Sequence, residues 1–77
     1  MNKFADFLTE KQMEICGVVD TPSDRYMANK CNIPAIQWLG FRRGELKPPE
    51  QYLLQCIANG LGMQFDDLRR IAESRIW

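Results

Sequence analysis

Apolar residues recur every three to four positions along most of the chain, and no stretch alternates strictly enough with period two to read as a strand. The pattern predicts an all-α protein of five short helices punctuated by Gly, Pro and Asn. A first helix covers residues 2 to about 16, with Phe4, Phe7, Leu8 and Ile15 near one stripe and Asp6, Glu10, Lys11 and Glu14 on the other faces; Gly17 can end it. Thr21-Pro22-Ser23-Asp24 signals a second start. Thr21 can cap, Pro22 suits the first helical position, and Asp24 at the third can return a carboxylate to the cap. That helix runs to about Cys31, and Asn32 tolerates the tight, left-handed conformation of a turn.

Pro34 opens a third helix that reaches about Arg43, carries Trp38 and Phe41 three apart toward a core, and is closed by Gly44. Residues 45–48 read as a loop, Pro49 starts a fourth helix to about Asn59, and Gly60 or Gly62 stops it. Phe65, Leu68, Ile71 and Ala72 form the inner stripe of a fifth helix, with Asp66 and Asp67 in its first turn and Arg75 in its last. Trp38 and Phe41 are expected to pack on Ala28 and on Leu54, Ile57 and Leu61. Cys31, Cys56, Met13, Met27 and Met63 are expected to serve as core or near-core filler. With no internal repeat or low-complexity linker, the 77 residues read as a single domain. A chain so short buries only about 60% of its unfolded surface, so its core must be closely packed.

Charge changes the picture only locally. Ten Lys plus Arg balance ten Asp plus Glu, but residues 21–49 hold Arg25, Lys30, Arg42, Arg43 and Lys47 against Asp24 and Glu45, so an electropositive face must come from the middle third. Three cysteines without a CxxC pair, and no histidine, exclude a disulfide framework and a zinc site. The missing histidine also removes the usual general base, so no catalytic residue, cofactor or metal is expected. The absence of an 18-residue apolar run and of a signal-peptide pattern points to a cytoplasmic product with no membrane partner.

From Ser23 to about Leu68 the order of Ala28, Asn32, Trp38 with Phe41, Gly44, Pro49 and Ile57-Ala58-Asn59-Gly60-Leu61-Gly62 resembles the Xre-type, lambda-repressor-like helix-turn-helix family. The stretch Trp38 to Gly44 is also similar to small regulators carried by phages and other mobile elements. The chain departs from the family pattern in three places: Asn32 stands where Gly is usual, the loop from Gly44 to Pro49 is about one residue longer than is common, and the outward positions of the third helix are mostly apolar.

The resemblance implies a DNA-binding transcriptional regulator whose second and third helices form the helix-turn-helix, acting on double-stranded DNA as a homodimer. It places Ala35, Ile36, Gln37, Leu39 and Gly40 toward the bases, where Gln37 is the one side chain able to make a bidentate contact to an adenine edge. Arg42, Arg43 and Lys47 would lie near the sugar-phosphate backbone, as would Arg25 at the start of the second helix. The alternative for these cations is a solvated cluster that complements the helix dipole. For Asp24 the alternative to opposing a phosphate is a capping partner. Ile36 and Leu39 could meet thymine methyl groups, bury against a protein partner, or in one case turn into the core. Ile76 and Trp77 would anchor a dimer, or Trp77 would fold back over the fourth and fifth helices. The second class of function is therefore a helical interaction module that no longer reads DNA.

Overall fold

The structure is a computed structural model that describes residues 3–47 and 49–73, and it has the expected five-helix, all-α architecture. The helices are α1 (Lys3–Cys16), α2 (Thr21–Cys31), α3 (Ala35–Arg43), α4 (Gln51–Leu61) and α5 (Phe65–Ala72). α3 packs on α1 and α2, α4 on α2 and α5, and α5 returns to α1. Among the described residues, no helix is long and apolar enough to cross a membrane.

One local device stops three of the helices. At Asn32, Gly44 and Gly62 the backbone turns left-handed, with φ of 59°, 75° and 70°. The next amide then reaches back to the helix: Ile33 N–H to Ala28 O at 3.0 Å, Glu45 N–H to Gly40 O at 2.9 Å, and Met63 N–H to Ala58 O at 3.0 Å. Asn can replace Gly at the first of these sites because its short polar side chain tolerates this backbone region. The three residues Asn32, Ile33 and Pro34 thus suffice to connect α2 to α3, and Ile33 is buried beneath the turn.

The start of α2 departs from expectation. Asp20, not Thr21, is the cap: its carboxylate accepts the Ser23 N–H at 2.8 Å, and the Ser23 hydroxyl accepts the Asp20 N–H at 2.9 Å. Shifting the box back by one residue moves Asp24 out of the capping position and into the protein interior. α4 also begins later than expected, at Gln51, and Gly62 rather than Gly60 ends it.

Trp38 is fully buried, and it shares the core with Ala28, Phe41, Leu54 and Ile57, with Leu61 packed at the edge. Phe41 meets Phe4 of α1 edge-to-face at 6.2 Å between ring centroids. On α1 the inner stripe is Phe4, Ala5, Leu8 and Gln12, while Ile15 and Met13, expected inside, are exposed. Gln12 is fully buried because its amide is matched: its Oε1 accepts the Trp38 indole N–H at 2.8 Å and its Nε2 donates to Ser23 Oγ at 2.7 Å.

Gly60 lies inside α4 where that helix crosses α2. A Cβ built there falls 2.6 Å from Cys31 Cα and 2.8 Å from the Lys30 carbonyl oxygen, both backbone atoms that cannot swing away. At an exposed helix position Gly→Ala stabilises by up to about 1 kcal/mol. Here the sign reverses, and Gly60→Ala is expected to lower the urea midpoint. Truncation of Trp38 to Ala removes the largest core side chain and strands the Gln12 carbonyl, for an expected loss of about 3–5 kcal/mol in the same measurement.

Candidate nucleic-acid interface

α3 presents two different sides. Trp38 and Phe41 point inward, and Ala35, Ile36 and Arg43 are exposed, with Leu39 half-buried beside them. With 100° between successive residues, Ala35, Leu39, Arg43 and Ile36 fall within one continuous stripe. Ile36 is the most open large apolar side chain of the described residues, at 78% exposure.

Two of the residues expected on this outer side lie elsewhere. Gly40 is buried under the α3–α4 loop, where a Cβ would come within van der Waals overlap of the Leu46 side chain. Gln37 is half-buried, and its Oε1 is shut away from solvent with no hydrogen-bond partner among the described residues. A bidentate contact to adenine needs both the carbonyl and the amide end of the side chain presented together. With one end sealed, Gln37 does not offer that pair.

Arg42 also departs from expectation. Its Nε and Nη2 donate to the two carboxylate oxygens of Asp24 at 2.7 and 2.9 Å, and the two side chains are only 13% and 7% exposed. This is a partly buried, bidentate ion pair between the first half of α2 and the last turn of α3. Burial pushes the Asp24 carboxyl up. Hydrogen bonds from Arg42 and Gln12, with the charges of Arg42 and Arg43, outweigh it and hold the group below the ordinary carboxylate range. The threonine of α1 adds a weak tie to the same corner, Thr9 Oγ1 donating to the Arg42 carbonyl at 3.4 Å.

Arg25, Lys30, Arg43 and Lys47 remain exposed, and none of them forms an ion pair among the described residues. Removing the Asp24–Arg42 pair from the balance takes away one charge of each sign, so the surplus of cations in the middle third persists on the surface. Ile76 and Trp77, expected at a dimer contact, lie outside the described residues, as does Arg75. Burial pushes the Cys31 thiol up to about 11, and burial with the nearby Asp20 and Asp24 charges raises Cys16, so neither is a ready thiolate. Among the described residues, no group of three or more Cys, Asp or Glu side chains is placed to hold a metal ion. Compared with known proteins, the chain matches no family model, no curated protein and no solved structure.

The role of Asp24 was hidden in the sequence because its spacing after Thr21 also fits a capping box. Only the position of Arg42, eighteen residues later, separates the two. The ion pair makes stability depend on pH with a definite sign. Because the folded carboxyl is depressed, its contribution is present above the unfolded value of about 3.9 and is lost as pH falls through the folded one. Arg42→Ala should therefore cost about 3–5 kcal/mol at neutral pH by leaving Asp24 buried and unpaired. That cost should shrink as pH falls from the raised titration of the unpaired, buried Asp24 in the variant down through the depressed one of the wild type, as unfolding followed across a pH series would reveal.

Proposed function

We propose that this chain is a DNA-binding transcriptional regulator in which α2 and α3 act as a helix-turn-helix and α3 enters the major groove. The observation that carries the reading is the asymmetry of α3. Its inner side is sealed by Trp38, Phe41 and the Arg42–Asp24 pair, and its outer stripe of Ala35, Ile36, Leu39 and Arg43 is left bare beside exposed cations. A helix about 10–12 Å across with its side chains fits a major groove about 12 Å wide.

In this reading Arg25 and Lys47 meet the sugar-phosphate backbone, and Ile36 and Leu39 meet thymine methyl groups. Arg42 takes no part in phosphate contact, because withdrawing it would strand a buried carboxylate. A homodimer would require two half-sites about one helical turn apart, with dimer geometry supplying selectivity that the apolar stripe lacks. The exposure of Ile36 also favours a second reading, in which the same stripe docks on a protein partner.

A salt titration separates the two. Two cations per chain facing phosphates predict that log K falls with log salt at a slope of about −2 per bound chain, or about −4 for a dimer. Arg25→Ala and Lys47→Ala should each reduce the slope by about one and weaken random and selected DNA alike, whereas Arg42→Ala in protein kept folded should leave it unchanged. Binding that ignores salt removes the DNA reading. Ile36→Asp then becomes the variant to watch for loss of a protein partner.

A further inference from the structure

The Asp24–Arg42 pair divides two adjacent arginines that the sequence leaves equivalent. From this we infer that Arg43, rather than Gln37, is the side chain that distinguishes bases, and that the base it selects is guanine. The inference rests on the DNA-binding reading of α3.

Three observations converge on it. Arg42 has its Nε and Nη2 committed to the Asp24 oxygens and its side chain is only 13% exposed, so it is held inside the protein. Gln37 has one end of its amide sealed from solvent, which removes the paired donor and acceptor that adenine requires. Arg43 is exposed, forms no hydrogen bond or ion pair among the described residues, and stands four residues after Leu39 and seven after Ile36 on the outer stripe. It is the one side chain of that stripe with hydrogen-bonding capacity, since Ala35, Ile36 and Leu39 have none. A guanidinium presents a planar pair of N–H donors, and of the four bases guanine alone shows two acceptors, O6 and N7, side by side in the major groove.

The backbone that carries Arg43 is also fixed. The preceding residue is clamped to α2 through Asp24, and the following Gly44 turns left-handed to end the helix. A long side chain therefore starts from a defined point, and its aliphatic neighbours Leu39 and Ile36 would seat against a thymine methyl beside the guanine. Arg42 is thus a positioning residue for Arg43 and has no base contact of its own.

The test is selection of bound sequences from a random DNA pool at low salt by the full chain and by its Arg43→Ala, Arg43→Gln and Gln37→Ala variants, with circular dichroism to confirm that each is folded. The wild type should enrich a site with guanine next to thymine. Arg43→Ala should lower the preference for that guanine by roughly 5- to 150-fold while affinity for random DNA changes little. Arg43→Gln should move the preferred base at the same position from guanine toward adenine, a change that a phosphate contact or a structural role would not produce. Gln37→Ala should leave the enriched site as it was. If Arg43→Ala weakens all sequences equally, or if the base preference follows Gln37, the assignment of Arg43 is overturned and the regulator reading stands. If the wild type enriches no motif at all, both are overturned.

Discussion

A buried primary amide has four hydrogen-bonding positions and a high cost of leaving them unmet, and Gln12 places one in the middle of the helical core. Its partners lie on two other helices: the indole of Trp38 on α3 and the hydroxyl of Ser23 on α2, with the Asp24 carboxyl one residue further on also influenced by it. Hydrophobic burial alone would let α1 slide or rotate against its neighbours at small cost. The amide removes that freedom, because each partner must stay within about 3 Å along a fixed direction. Ser23 is tied in turn to the Asp20 backbone, so the cap of α2 and the core of α3 belong to one polar chain.

The orientation of α3 follows. Trp38 is held by its ring and by its N–H, Phe41 by the edge of Phe4, and the last turn by the Asp24–Arg42 pair. With three constraints on one side of a nine-residue helix, the opposite side has no choice but to face outward. The outer stripe is therefore a consequence of the polar core. Ile36 contributes almost nothing to the interior at its degree of exposure.

Electrostatics adds a second layer. A formally neutral chain would draw no polyanion toward itself if its charges were evenly mixed. Here one cation and one anion of the middle third are used inside, at short range and in a fixed geometry, while Arg25, Lys30, Arg43 and Lys47 stay in water. The remaining pairs, Lys11 with Glu14 and Arg69 with Asp66 and Glu73, lie on exposed parts of α1 and α5 and contribute little to stability. The segments flanking the middle third carry the balancing excess of anions, so the two signs are separated along the chain.

The helices and most of their ends could be read from the amino-acid sequence because their causes are local. The 3.6-residue period, the left-handed tolerance of Asn32, Gly44 and Gly62, and the inward pairing of Trp38 with Phe41 need only neighbours within a few positions. The exposure of Ile36 and the inward place of Cys31 followed from the same period. What could not be read were the polar matches between helices. Gln12 looks like a surface residue until Trp38 and Ser23 arrive beside it, Asp24 looks like a cap until Arg42 reaches it, and Gln37 looks like the reader of bases until one end of its amide is enclosed. A polar side chain carries no signal of burial in its own period, because burial becomes tolerable only when a distant partner satisfies it. Only the packing of α1, α2 and α3 brings those partners within reach, and so only the tertiary structure separates Arg42 from Arg43.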